Sequence, residues 1–163
     1  MSDFVFIPPN TDGDAPDPAA PDVVAGDGFW PSIDIVQLRD AVRLETTIPP
    51  ARLRDAVRIA MLDIAEELAT WRAEQVALGF ETLIEVPARI SIDDQSDYVL
   101  RWARAVYSTV GADLGERLLS QSSTAAGHDR AEESLDQVGL HWRNVRWAVR
   151  QFLGRPRIIA ELM

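Results

Sequence analysis

The sequence predicts an all-α fold, an antiparallel bundle of about four helices with an extended N-terminal arm and a short C-terminal tail. Three observations carry the prediction. Apolar residues recur at steps of three and four over long stretches, helix start and stop signals sit at the ends of those stretches, and no stretch alternates apolar and polar residues far enough to read as a useful strand. The boundaries that follow are an arm over 1–28, a helical body over 29–154 and a tail over 155–163.

The arm is marked by composition. Residues 1–28 hold five Pro and six Asp and no basic residue, which buries too little apolar surface to offset chain entropy. Phe4, Val5, Phe6 and Ile7 make a short apolar segment within it, suited to a solvated tail or to ordering against a neighbouring subunit.

The first helix starts at Asp34, which with Gln37 fits a capping box, and runs to about Leu44 with Ile35, Leu38 and Val42 on one face. Pro49 and Pro50 suit the start of the next, because a missing N–H costs nothing there. From it Leu53, Val57, Met61, Ile64, Leu68, Trp71 and Gln75 form a single stripe, and Gly79 offers a stop, so one helix is expected to Leu78. Residues 80–95 read as a loop containing Pro87. Either Ser91 with Asp94, or Ser96, then caps a third helix to about Ser120, with Val99, Trp102, Val106, Val110, Leu114 and Leu118 inward. Gly111 and Gly115, one turn apart inside it, each cost about 1 kcal/mol relative to Ala, either tolerated or repaid by close approach of another helix. A fourth helix spans about His128 to Leu153 and is closed by Gly154 and Pro156.

Charge and chemistry exclude several functions. All 16 basic residues are Arg, against 26 acids, for a net of −10, which disfavours general adhesion to nucleic acid or anionic membrane. Removing the arm leaves 20 acids against 16 Arg in the body, a net of −4. There is no Cys, so there is neither a disulfide framework nor a thiol nucleophile. No membrane-spanning or secretory segment is read, and a soluble, intracellular chain is expected. His128 and His141 match no metal motif and read as surface or helix-start residues, and the adjacent acid pairs Glu66-Glu67, Asp93-Asp94 and Glu132-Glu133 diverge on a helix and read as solvated faces. No catalytic residue, cofactor or metal site is expected.

The C-terminal helix is different. From Gln137 through Ala160 there are five Arg and no acid. Trp142, Val145, Val149, Phe152 and Leu153 form an apolar arc, Arg143, Arg146 and Arg150 a neighbouring stripe, and Trp147 lies beyond the stripe. Arg beside an off-core Trp is the composition of an interface, or else of a core-packed helix whose Arg balance the acidic body and whose Trp147 packs under the short first helix. On the interface reading the candidate partner-binding residues are Arg143, Arg146, Trp147 and Arg150, and in the tail Arg155, Pro156, Arg157, Ile158, Ile159, Leu162 and Met163. Phe29, Trp30 and Pro31 form a second candidate, or else a hydrophobic staple on the first helix.

Ordered segments across about residues 26–163 carry a resemblance. They are Asp27-Gly28-Phe29-Trp30-Pro31, Pro50-Ala51-Arg52-Leu53-Arg54, Glu67-Leu68-Ala69 with Trp71-Arg72-Ala73, Arg104-Ala105-Val106-Tyr107, Thr124 through Glu132, and Gly154-Arg155-Pro156-Arg157 leading to Glu161-Leu162. Together the set resembles the head completion proteins (gpL type) of temperate contractile-tailed phages, the Peduovirus group. The resemblance implies a helical, non-enzymatic virion protein at the head-tail junction, assembled in the host cytoplasm. Its partners would be the portal protein, neighbouring copies in a ring expected to match the twelvefold portal, and neck or tail terminator proteins. It would join the portal vertex after DNA packaging, retain the genome and present a platform for the tail, with DNA passing through the ring without sequence-specific binding. The acidic excess is compatible with a channel that does not hold DNA. From composition alone, the rival is a small acidic helical regulatory or adaptor module that binds a cytosolic protein.

Overall fold

The computed structural model describes residues 22–42, 48–121 and 128–155, and of 118–121 and 128–134 only the backbone. Among the described residues, five helices dominate: α1 (Ile35–Val42), α2 (Pro50–Glu67), α3 (Ala69–Ala77), α4 (Asp97–Gln121) and α5 (His128–Phe152). Two small antiparallel pairs accompany them. Strand β1 (Val23–Val24) pairs with β2 (Ile33–Asp34), and β3 (Ser91–Ile92) pairs with β4 (Gln95–Ser96), so the fold is mostly helical and not strictly all-α. Strands of two residues leave no alternation for a sequence to show.

Several helix ends follow the expected chemistry. The Asp34 carboxylate accepts from the amides of Val36 (2.8 Å) and Gln37 (3.1 Å), capping α1. Of the two possible starts for α4, the structure uses Ser96, whose hydroxyl accepts from the Tyr98 amide at 3.2 Å. Ser91, Asp93 and Asp94 belong instead to the β3–β4 hairpin, with both turn aspartates at positive φ (49° and 58°), the conformation of a two-residue type I′ turn. Gly79 (φ 97°) and Gly154 (φ 65°) end α3 and α5 with matching double closures. Phe80 N donates to Gln75 O and Gly79 N to Val76 O, while Arg155 N donates to Arg150 O and Gly154 N to Gln151 O.

Two boundaries differ from expectation. The long second helix is divided at Leu68 (φ −96°, ψ 7°), although hydrogen bonds cross the break from Leu68 N to Ile64 O and from Arg72 N to Leu68 O. Its stripe remains continuous because Leu68 is fully buried. Residues 22–28, which composition assigned to the arm, are part of the folded body: Val24 is buried, and Arg54 donates to Val23 O and pairs with Asp22. The acids there are tied to Arg of the body, a pairing that composition cannot reveal.

Helix α4 lies at the centre. It runs antiparallel to α5, with Arg101 bonded to Gln151, Arg104 to Asn144, Gly111 facing His141 and Gly115 facing Val138. A Cβ at Gly111 would lie 2.7 Å from His141 Cε1 and 2.7 Å from Val42 Cγ1, and one at Gly115 2.7 Å from Val138 Cγ2. The small residues thus permit close helix approach, and Gly111 marks the meeting of α1, α4 and α5. On the other side, Ala60 and Asp63 of α2 share a groove with Thr109 and Asp113. The core joins these layers through aromatic rings: Trp30, Trp71, Tyr98, Trp102 and Phe152 form one continuous set of stacked, tilted and edge-on contacts.

Candidate partner-binding surface

The expected contact residues at Phe29, Trp30 and Pro31 lie in a loop built around Asp27. Its Oδ1 accepts from the amides of Phe29 (3.1 Å) and Trp30 (3.0 Å), and its Oδ2 lies 2.5 Å from Arg72 Nη1 of α3. Burial alone raises the Asp27 pKa, but the Trp30 amide, Arg72 and the Phe29 amide outweigh it and hold the carboxyl below the ordinary aspartate value. Gly28 supplies a left-handed residue (φ 100°), and at Gly26 a Cβ would fall 1.8 Å from Trp30 O. This geometry drives Phe29 and Trp30 inward, each only 3% exposed. Trp30 stacks on Trp102, Arg72 covers the Phe29 ring, and Pro31 O accepts from Trp102 Nε1 at 3.1 Å. These side chains pack the body of this chain, and the two rings are almost wholly buried within it.

The Arg-bearing side of α5 is outward. Val145, Val149 and Phe152 are buried and Leu153 partly so, as the apolar arc requires. Trp142, placed on that arc by the helical wheel, is at the rim: it is 36% exposed and donates through Nε1 to Glu116 at 2.7 Å. Arg143 and Arg146 are exposed, whereas Arg150 and Trp147 are half-buried. The Arg143 guanidinium stands 5.2 Å from the centre of the Trp147 ring. Trp147 is thus held in a side-chain environment, with Arg143 over one part of it. His141, expected at the surface, is half-buried at the α4–α5 contact; burial lowers its pKa, and Nδ1 finds no hydrogen-bond partner among the described residues.

At the end of α5 the chain is held by residues the sequence did not single out. Arg89, from the loop before β3, donates through Nη2 to the carbonyls of Gln151 (2.6 Å) and Phe152 (3.2 Å) and lies over the Tyr98 ring. Buried Asp97 accepts from the Arg89 amide and from Arg101 Nε (both 3.1 Å), and Arg101 in turn bonds the Gln151 side chain. Two Arg compensate the one buried carboxylate, and the group clamps the last turn of α5 to the start of α4. Helix ends commonly use a cation on their carbonyls, but no local signal links residue 89 to residue 151. Arg155 is exposed just beyond this clamp; Pro156, Arg157, Ile158, Ile159, Leu162 and Met163 lie outside the described residues.

Among the described residues, no group of three or more His, Asp or Glu is placed to hold a metal ion, and no helix is long and apolar enough to cross a membrane. A profile of the phage head completion protein (GPL) family matches residues 24–163. The chain is 37% identical over 147 residues to the head completion/stabilization protein of Escherichia phage P2, covering 90% of this chain and 86% of that protein. No solved structure matches.

Proposed function

Because this chain belongs to the phage head completion protein family, we propose that it completes the head at the portal vertex. Copies load onto the portal as a matching ring after packaging, retain the genome and form the platform on which the neck and tail assemble. The action is binding and closure, without turnover. The observation that carries this reading is the match to the family over nearly the whole folded body, together with the 37% identical relative from phage P2.

The docking surface is the outward side of α5, namely Arg143, Arg146, Trp147 and Arg150, continued by Arg155 and the tail through Met163. A cationic strip on an acidic protein is a directional contact, because like charges elsewhere repel wrong orientations. The clamp of Arg89, Asp97 and Arg101 fixes where the chain leaves α5, so the tail starts from a defined point on each copy. Such fixed exits favour a closed ring, in which one copy repeats the same contact with the next.

The test is sedimentation of the full chain with the cognate portal ring, beside a chain truncated after Gly154. The full chain is expected to travel with the portal in portal-matched stoichiometry. The truncated chain is expected to keep its helical circular dichroism and to stay behind. Undiminished docking by the truncated chain removes the tail from the interface, and failure of the full chain to bind the portal overturns the reading.

A further inference from the structure

We propose that the apolar cavity beside β1 receives the Phe4-Val5-Phe6-Ile7 segment of a neighbouring copy of this chain. The inference rests on the ring reading above and names one contact that would join its members.

The cavity has a volume of about 350 Å³ and is lined by Val24, Trp30, Met61, Leu62, Ala65 and Trp102, with Arg58 also on its wall. Leu62 is 65% exposed beside it. Trp30 is nine-tenths buried, and its Nε1 finds no acceptor among the described residues. A buried indole N–H without an acceptor costs roughly 1–3 kcal/mol. Arg58 is already paired with Asp55 at 2.8 Å, so an occupant that satisfies this site brings apolar side chains and a carbonyl oxygen. Residues 4–7 have this composition, four consecutive apolar residues whose backbone carbonyls are available to an N–H donor.

The chain outside the described residues also decides between the chain's own cavity and a neighbour's. Residues 8–21 join the segment to the body at Asp22 and include Pro8, Pro9, Pro16, Pro18 and Pro21. At about 3.1 Å per residue, the value for extended Pro-rich chain, a spacer of this length has a reach of roughly 40 Å. A folded body of this size is itself about 40 Å across. The cavity is lined by Val24 through Asp27, immediately after the spacer's attachment point. The spacer's reach matches the distance to the cavity of a copy alongside, whereas the chain's own cavity, next to the attachment point, would require a Pro-rich spacer to turn back on itself.

The absence of Cys gives a clean test in the full chain. One population carries Phe6→Cys and a second Leu62→Cys, mixed at high concentration under mild oxidation. The reference pair replaces the second population with Leu78→Cys, which is 70% exposed and away from the cavity. The cavity pair is expected to form the mixed dimer at least about tenfold faster, because docking raises the effective thiol concentration. Equal rates overturn the proposal. So does a chain carrying both Phe6→Cys and Leu62→Cys that closes only within itself, since the cavity is then filled by its own segment. Sedimentation of Phe6→Ala with portal rings is read separately: its outcome bears on portal docking, while the cross-linking rate alone decides the contact between copies.

Discussion

The indole rings of Trp30 and Trp102 stack 4.4 Å apart and 7° from parallel, joining the loop after β1 to the middle of the core. Trp102 is 1% exposed and also donates its indole N–H to Pro31 O. Trp102→Phe keeps an aromatic ring but leaves a cavity and an unbonded carbonyl, and is expected to cost about 2–3 kcal/mol in urea unfolding. The stacked pair is also expected to give an exciton couplet in far-ultraviolet circular dichroism. Trp30→Phe and Trp102→Phe should each abolish it, and persistence of the couplet in both would assign it to another pair.

Three glycines in helices differ only in what surrounds them, and this predicts an order of stability. Gly139→Ala meets nothing within 4 Å on α5 and should stabilise the chain by about 0.5–1 kcal/mol through helix propensity. Gly115→Ala meets one Val138 methyl, so its propensity gain and its crowding should nearly cancel. Gly111→Ala meets both the His141 ring and Val42, from two different helices, and should lose about 1–2 kcal/mol net. Midpoints of urea unfolding for the three variants check the order; a Gly111→Ala chain as stable as Gly139→Ala would mean that the three helices part easily.

His141 makes stability depend on pH in a stated direction. Burial lowers its pKa from the ordinary 6.5, so the unfolded chain takes up the proton before the folded one as the pH falls. The stability is fully present above 6.5 and declines as the pH falls from 6.5 towards the folded pKa. Unfolding at about pH 7.5 and about pH 5.5 is expected to show the decline in the native sequence and a smaller one in His141→Leu. Replacement by Leu also removes a buried nitrogen without a partner, so the variant is expected to be no less stable at the lower pH.

The sequence made the helices legible because their information is local. The stripe from Leu53 to Trp71, the Asp34 cap and the stops at Gly79 and Gly154 are all settled within one or two turns of chain. What it could not show depends on distant partners. Phe29 and Trp30 read as contacts or as a staple on the first helix until Asp27 and Arg72 close the loop over α3. Asp97 looks like an ordinary first-turn acid until Arg89 and the end of α5 are beside it. Trp142 follows the helical period but sits at the rim, where Glu116 offers its indole an acceptor. The Arg strip on α5 was visible as composition, since charge asymmetry along a helix survives folding, whereas the cavity beside β1 arises only when β1, α2 and α4 meet.

Asp27 allows the loop's hydrogen bonds to be separated from its charge. Asp27→Ala removes the acceptor for two amides and is expected to cost about 1–2 kcal/mol, the usual loss of such a cap. Asp27→Asn keeps a side-chain oxygen for Phe29 and Trp30 and loses only the Arg72 ion pair, worth no more than about 1 kcal/mol between two partly exposed groups. Because the carboxyl's pKa is lowered in the folded chain, the charge contributes stability above the ordinary 3.8, and that contribution is lost as the pH falls through the folded value. The gap in stability between the native sequence and Asp27→Asn is therefore expected to be full near neutral pH and to shrink on acidification below 3.8. Urea midpoints of both chains across that range measure it. A gap that stays constant through the acid range would show that the ionised carboxylate adds nothing beyond the oxygen that holds the two amides, and that the pairing with Arg72 positions the loop without stabilising it.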